Sequence, residues 1–362
     1  MNADIFEDLF VLEMASNHQG NLERGLRIVQ QFAKVVRFNN VRAAIKLQFR
    51  DIDSFIHKDF RESADIRYVR RITETRLSKD AFAELVTAIR RSGCIPMATP
   101  FDEKAVDLCV EFDMPIIKVA SADGNDWLLL ERIAKVRRPV IVSLGGLSQK
   151  DIDDLVKFFE NRNIPLALNH CVAAYPHEDF ECDLNQIDFL RNRFPNHVIG
   201  YSCHEYQDWT SSIMIAYGKG ARAFERHIDI NDDGFEIAKY SSLPEQIDTW
   251  FQAWHKAREM CGGPGIQRKL PLAKEVAYLD SYVRGVYAKR DLKKGQLLTE
   301  EDVYLAIPLQ KAQISCRELM LGSYGHRMLA DCGKDAPVTI DLLDTPYANN
   351  PRMMEAIQKR GL

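Results

Sequence analysis

Gly200-Tyr201-Ser202-Cys203-His204, read with Phe224-Glu225-Arg226-His227, is the stretch whose reading decides the fold. Each part begins where a short apolar run ends, Val198-Ile199 before the first and Ala221-Arg222-Ala223 before the second. Between them, Asp208 to Gly218 has a helical pattern. The order is strand, helix, strand, with a histidine just past each strand end. A parallel barrel sets such positions side by side on the face that carries its active site. Two neutral imidazoles there, with the Glu225 carboxylate between them, form a donor set for a divalent metal with open positions. The alternative is a pair of hydrogen-bonded loop histidines.

Working outward, the same alternation fills the preceding chain. Leu9-Phe10-Val11-Leu12 reads as a strand ending in Glu13. After the turn Asn17-His18-Gln19-Gly20, Asn21 caps a helix with Leu22, Ile28, Val29, Phe32 and Val35 on one side. Ala43 to Gln48 is the next strand, and its period of two puts Lys46 and Gln48 on one face, opposite Ile45 and Leu47. A buried polar face is costly unless something satisfies it, and a barrel interior near its mouth can do so. Residues 50–76 are charged and poorly periodic, which predicts an inserted βα loop with a short helix folding over the site. Ser78 caps a helix to Arg91. Ile95 to Ala98, Pro115 to Ser121, Pro139 to Ser143 and Ile164 to His170 are further strands. Helices over 103–111, 125–135, 148–160, 184–193 and 244–260 complete the units. This repetition predicts an α/β chain with a (β/α)8 TIM barrel. An open doubly wound sheet would want a Gly-rich fingerprint after its first strand, and none is present.

The 362 residues suffice for one large domain and one small one. With 46% hydrophobic and 28% charged residues the composition is that of a soluble globular protein. A net charge of −4 implies no basic face, so nucleic acid is not an expected partner. The 8 cysteines show no CxxC spacing, which points to reduced thiols and a cytoplasmic protein. The acidic start Met1 to Asp8 lacks the apolar core of a signal peptide, and no apolar run reaches membrane-spanning length.

Glu13, Lys46, Gln48, Thr99, Lys118, Ser121, Ser143, Tyr175, His204, Glu225 and His227 all lie at or just past strand C-termini. Buried polar groups need partners, so their convergence on one barrel face argues for a ligand. Lys46 and Lys118, with the hydroxyls of Thr99, Ser121 and Ser143, form a set for phosphate or carboxylate. Ion pairs with Glu13 or Glu225 are the structural alternative for the lysines. An anion pocket beside a metal suits condensation or cleavage of a phosphorylated acid, with the metal polarising a carbonyl.

Gly262-Gly263-Pro264-Gly265 marks a change of character. The expected organisation is a catalytic barrel over 1–262, a linker over 263–281, a small β-rich domain over 282–345 and a C-terminal tail over 346–362. Short β runs from Arg284 to Val303 are joined by a Lys-Gly turn, and Thr299 and Asp302 stand at capping-box spacing. Met328 to Val338 reads as a weaker second copy.

Nearly the whole chain resembles the N-acetylneuraminate (sialic acid) synthase family, a barrel followed by a C-terminal antifreeze-like (SAF) domain. Glu13 with Asn17-His18-Gln19-Gly20 is similar to its opening motif, and Lys46-Leu47-Gln48 to its Lys-Phe-Gln. Thr99-Pro100-Phe101, Lys118-Val119-Ala120-Ser121, Tyr175-Pro176, Gly200-Tyr201-Ser202 with His204, and Glu225 with His227 also match. Gly285 to Asp302 resembles the start of the SAF domain. The resemblance implies a transferase of sialic acid biosynthesis that condenses phosphoenolpyruvate with an amino-sugar aldehyde to a nine-carbon 2-keto-3-deoxy acid. His204 and His227 would bind manganese or magnesium. Lys46, Thr99, Lys118, Ser121, Ser143 and Tyr175 would hold phosphoenolpyruvate. Gln48 and Glu225 would position substrates and water, and Glu13 would handle a proton on the water that attacks C2. Phe101 and Arg284 would contact the acceptor. The family's domain-swapped homodimer would bring Arg284 from the other subunit.

Four departures concern the acceptor side. Ala238 stands where the family has an acceptor-binding Asp, and Ala173 where it has Asn. Ser143-Leu144-Gly145-Gly146 replaces Ser-Thr-Gly-Met, and Ala306-Ile307-Pro308-Leu309 replaces Lys-Arg-Pro-Gly. A different hexose or amino sugar, for a surface or spore-coat polysaccharide, is the resulting expectation. Two rival functions are a barrel glycosidase using Glu13 and Glu225, and a sugar-binding protein of the same fold that has lost catalysis.

Overall fold

Eight strands close on themselves in the computed structural model, which describes residues 5–63, 65–231, 233–263, 265–321 and 325–361. They are β1 (Leu9–Ala15), β2 (Arg42–Phe49), β3 (Ile95–Pro100), β4 (Ile116–Val119), β5 (Val140–Ser143), β6 (Leu166–Cys171), β7 (Val198–Cys203) and β8 (Ala223–Ile228). Neighbours pair in parallel and β8 returns to β1, so Glu13 stands between Lys46 of β2 and His227 of β8. The barrel is the expected one. A short β9 (Ser241–Ser242) extends it, with Ser241 opposite His227.

The helices are α1 (Leu22–Asn39), α2 (Ile52–Phe55), α3 (Arg67–Glu74), α4 (Lys79–Arg91), α5 (Glu103–Glu111), α6 (Trp127–Val136), α7 (Gln149–Glu160), α8 (Asn185–Arg193), α9 (Ser211–Gly218) and α10 (Pro244–Cys261). Side chains supply the N-terminal stops. Asn21 accepts the N–H of Arg24, Ser78 that of Ala81, Asp102 that of Ala105, and Ser148 forms a reciprocal box with Asp151. Apolar positions then face the strands; in α1 they are Ile28, Val29, Phe32, Ala33 and Val36, with Val35 only half-buried. Phe10 of β1 meets Trp250, Phe251 and Trp254 of α10 edge-on, at 4.8 to 5.2 Å between ring centres. Truncating such a ring costs about 3–5 kcal/mol.

Inside the barrel, polarity changes along each strand. Leu9, Val11, Ala44, Met97, Ile116, Ile141 and Ala167 form an apolar plug with Phe6. Two residues further on, Val11 gives way to Glu13, Ala44 to Lys46, Met97 to Thr99, Ile116 to Lys118, Ile141 to Ser143 and Ala167 to Asn169. The period of two keeps both sets on the inner face, so the second set is buried yet polar.

Met1–Pro264 and Gly265–Leu362 are separate compact units. In the second, the stretch expected as a linker carries α11 (Ala273–Asp280), which buries no residue. β10 (Gly285–Ala288) pairs antiparallel with β11 (Val303–Ala306). α12 (Cys316–Leu321) precedes β12 (Arg327–Met328) and β13 (Leu343–Asp344), which also pair antiparallel. The two copies seen in the sequence face each other. Leu292 bridges Cys332, Asp291 accepts the N–H of Lys334, and Asp331 accepts that of Lys294, both at 2.8 Å. The capping box of Thr299 and Asp302 forms as expected.

The C-terminal segment is not a tail. α13 (Pro351–Lys359) buries Ile357 in the second core and packs Met353 and Met354 against it, a helical spacing that supplies an apolar stripe. Arg360 reinforces it with an ion pair to Glu318 at 2.6 Å. Among the described residues no helix is long and apolar enough to cross a membrane, and all eight cysteines are free thiols.

Candidate active site

Lys46 is the hub of the polar layer. Its ammonium contacts the Glu13 carboxylate, lies 3.0 Å from Glu225 and donates to Thr99 Oγ1 at 3.1 Å. Lys118 donates to Ser143 Oγ at 2.6 Å and stands 3.5 Å from the second Glu225 oxygen. No hydrogen bond completes that last contact, and Glu225 Oε2 has no partner of that kind. These four side chains are at most 6% exposed. The structural alternative for the lysines is therefore realised in the free protein.

Charge balance divides the two lysines. Burial opposes the Lys46 charge, but Glu13 and Glu225 outweigh it and raise its pKa. For Lys118 burial wins, with only Glu225 close by to offset it and Lys46 adding repulsion, so its pKa is lowered. Burial also disfavours the Glu225 carboxylate, yet Lys118 and then Lys46 hold it down at about 2. Lys118 is thus the less compensated cation, and an incoming anion would complete its shell.

The histidines lie across the mouth, with ring centres 5.4 Å apart. His204 Nδ1 is 2.9 Å from the Val172 carbonyl, which fixes the tautomer and leaves Nε2 as a lone pair. His227 Nδ1 is buried without a partner. Burial pushes both down to about 3, so both are neutral near pH 7. Two neutral imidazoles, one with an orphaned nitrogen, fit a divalent metal. Tyr175 packs on His204 at 4.0 Å and edge-on to His227 at 5.9 Å, and Tyr240 meets His227 at 5.1 Å.

The loop after β6 fixes His204 twice over. Besides the Val172 contact, His177 Nε2 accepts the His204 backbone N–H at 3.3 Å. His177, Cys182 and Glu205 lie close enough to suggest a second metal cluster. Their donors are engaged, however. His177 Nδ1 is 3.1 Å from the Glu178 carbonyl, and Glu205 is held by Arg226 at 3.0 Å, by Tyr201 and by Ser212. The cluster reads as a buried frame joining the ends of β7 and β8.

Ser121 Oγ accepts the Gly145 N–H at 3.1 Å, and a Cβ on Gly145 would come within 3.0 Å of it. Glycine there lets the β5 loop close on Ser121. Phe101 carries the Arg50 guanidinium on its face at 3.6 Å, and Arg50 Nη2 donates to Gln48 Oε1 at 3.1 Å. The twelve barrel residues singled out in the sequence therefore gather at one mouth. Arg284 lies in the second unit and is exposed. Ala238 is half-buried before β9, where its carbonyl accepts the Ser241 N–H.

Three residues escaped sequence reasoning. Asn169 is fully buried with neither amide atom partnered. Asp123 has a buried orphan Oδ2, and burial raises its pKa to about 6. Arg50 has a buried orphan Nε. Inward alternation from Ala167 would have found Asn169, and the spacing Lys118, Ser121, Asp123 would have flagged the aspartate. Nothing local marks Arg50. Arg71 of α3, in the segment before α4, is among the charges that lower the His227 pKa.

Comparison with known proteins agrees with the barrel. Residues 39–265 match the NeuB family. The crystal structure of a spore coat polysaccharide biosynthesis protein E from Chromobacterium violaceum superposes with a TM-score of 0.89 at 36% identity, covering 93% of this chain and 100% of that one. An N-acetylneuraminate-9-phosphate synthase of Drosophila melanogaster is 25% identical over 91% of this chain and 94% of its own length. A pseudaminic acid synthase of Campylobacter jejuni is 26% identical over 81% and 85%. With the barrel and these matches in agreement, the chain belongs to the NeuB family of N-acetylneuraminate synthase-like transferases.

Proposed function

We propose that this chain condenses phosphoenolpyruvate with the aldehyde of an amino sugar or related hexose, giving a nine-carbon 2-keto-3-deoxy acid and inorganic phosphate. The observation that carries the reading is the under-compensated Lys118 beside the partnerless atoms of Glu225, Asn169 and His227 at one barrel mouth. Buried polar atoms without partners are costly and mark where a ligand binds.

Lys118 and Lys46, with Thr99, Ser121 and Ser143, hold the carboxylate and phosphate of phosphoenolpyruvate. Tyr175 closes the phosphoenolpyruvate set, and Gln48 and Phe101 orient the acceptor. As C3 joins the aldehyde carbon, positive charge develops at C2, and the Glu13 and Glu225 carboxylates beside it stabilise that charge. Water adds to C2 and gives up a proton at the Glu13 carboxylate. The alkoxide left on the former aldehyde carbon takes up the proton held at Glu13, and the C2–O bond to phosphate then breaks as the C2 hydroxyl gives its proton to the departing phosphate, leaving the keto acid. His204 and His227 hold manganese or magnesium, which supplies polarisation of the acceptor carbonyl when bound. Arg284 reaches the acceptor from the partner of a homodimer.

Glycoside hydrolysis fits less well. Its general acid needs a raised pKa, which Glu225, held near 2, does not have, and Glu13 is engaged by the Lys46 ammonium. Trp250 and Trp254 are core residues, Trp209 bonds Ser242 and Trp127 packs on Phe158, so no tryptophan offers a sugar platform at the mouth. The test is incubation with phosphoenolpyruvate, manganese and a panel of hexosamine aldehydes, reading phosphate release and product mass. Phosphoenolpyruvate that neither binds nor releases phosphate with any sugar overturns the reading.

A further inference from the structure

We infer that Asn169 holds the water molecule that adds to C2 of phosphoenolpyruvate. The inference rests on the condensation reading above and assigns one further residue of that same site. Asn169 is 0% exposed, and neither its Oδ1 nor its Nδ2 has a hydrogen-bond partner. An amide carries two donors and an acceptor with two lone pairs, and leaving all of them unmet inside a barrel is costly. With neither end bonded, the amide can present whichever end a ligand requires.

The fold sets this amide among the reacting groups. Asn169 is in register with Ser143 of β5 on one side and with Gly200 of β7 on the other. Gly200 gives the amide its room, because a Cβ there would come 2.1 Å from Asn169 Oδ1 and 3.0 Å from Ala223 Cβ. The side chain thus lies across Gly200 toward β8, where Glu225 is the next inward residue after Ala223. Its polar neighbours are engaged. Ser143 accepts from Lys118, Glu225 pairs with Lys46, and Cys171, the next inward residue of β6, interacts with Ser121 and Ser202.

The atoms left unmet select the ligand. The phosphate and carboxylate of phosphoenolpyruvate offer acceptors alone, which suit Nδ2 and leave Oδ1 unmet. Glu225 Oε2 is a second buried acceptor without a hydrogen bond. Unmet acceptors call for a donor, and water is the donor that the condensation consumes. A water that gives one O–H to Asn169 Oδ1 and the other to a carboxylate keeps a lone pair for C2. Its oxygen forms the new bond to C2 and its proton passes to Glu13. The carboxamide exchanges no proton, so its contribution is orientation of the nucleophile.

The test uses Asn169→Leu, which keeps the shape and removes the polar atoms, and Asn169→Ser, which keeps an oxygen and opens space for water. Asn169→Leu should lower kcat by roughly ten- to a hundredfold and leave the phosphoenolpyruvate Kd within about threefold of the parent. Its melting temperature should hold or rise, because an unmet buried amide is exchanged for an apolar group. Asn169→Ser should recover part of kcat. A kcat unchanged in Asn169→Leu overturns the inference. So does a weakened phosphoenolpyruvate Kd, which makes the amide a substrate contact, or a fall in melting temperature, which makes it a structural one. If no sugar turns over, calorimetry of phosphoenolpyruvate judges the condensation reading separately. Crystals of the metal-free parent and of Asn169→Leu, each soaked with phosphoenolpyruvate, then decide this one. A water bonded to Asn169 and to Glu13 or Glu225, and missing from the variant, supports it. An amide bonded to phosphoenolpyruvate itself, or no water at that place, refutes it.

Discussion

Replacing Lys118 with methionine isolates the anion site. Methionine keeps the apolar stem of the side chain and removes the ammonium. In the parent protein that ammonium donates to Ser143 at 2.6 Å and stands 3.5 Å from Glu225. Burial already lowers its pKa, so its charge is costly before a ligand arrives. Two effects of different size follow. Stability should change modestly, because Lys46 still touches both carboxylates at the hub and because removing a buried charge recovers its desolvation cost. A net loss of about 1–2 kcal/mol is expected, below the 3–5 kcal/mol of a fully broken buried pair. Ligand binding should change more. A hydrogen bond to a charged group contributes about 1.5–3 kcal/mol, which corresponds to roughly ten- to a hundredfold in Kd. Ser143→Ala, which removes a neutral hydroxyl, should weaken binding by less than about tenfold. Calorimetric titration of phosphoenolpyruvate gives the Kd, and a melting curve on the same sample reports the fold. A Lys118→Met protein that melts cooperatively and binds phosphoenolpyruvate within about twofold of the parent refutes the assignment.

His204→Ala and His227→Ala should each abolish manganese binding, read by electron paramagnetic resonance, and activity, while leaving the barrel folded. Full activity of His227→Ala after chelation would sink the metal reading. Mixing inactive Arg284→Ala with inactive His227→Ala tests the shared site, since a mixed dimer would carry one intact site and regain part of the activity. If subunits demonstrably exchange and no activity returns, Arg284 does not act in trans. His18 provides a pH signature. Burial, then Arg24, lowers its pKa to about 4, so the folded state stays neutral while the unfolded state takes up a proton below about 6.5. Stability is therefore intact above that pH and declines toward pH 4, by up to about 3 kcal/mol at about 1.4 kcal/mol per unit. Denaturant melts of the parent and His18→Gln at pH 7 and 4.5 should show a smaller decline in the variant, and equal declines count against the assignment.

Some of the candidate site was open to a reader of the sequence because its residues sit at fixed phases of regular elements. Lys46 and Gln48 alternate with Ile45 and Leu47, and Glu225 and His227 flank Arg226, so their shared inward face follows from the strand period. Asn21, Ser78 and Ser148 announce helix starts through oxygens that accept backbone N–H groups. Arg50 could not be read in this way. It follows the last residue of β2, where no period governs, and its place on Phe101 depends on a residue from the end of β3. The last helix was missed for a different reason. Its stripe of Met353, Met354 and Ile357 is short, and its apolar side is meaningful only against the core of the second unit.

The sequence by itself determined the order of strands and helices in the barrel and the inward polar set, because side-chain direction repeats with a fixed period along a strand or helix. Only the tertiary structure decided how the charges compensate. Closure of β8 on β1 brings Glu225 within 3.0 Å of Lys46 and 3.5 Å of Lys118. It leaves His227 Nδ1, Asn169 and Arg50 Nε without partners at the mouth. Coulomb energy and desolvation depend on distance and burial, not on position along the chain. That is why the sequence could name the lysines and histidines, while the fold alone determined which cation stays under-compensated and which nitrogen remains free for a ligand.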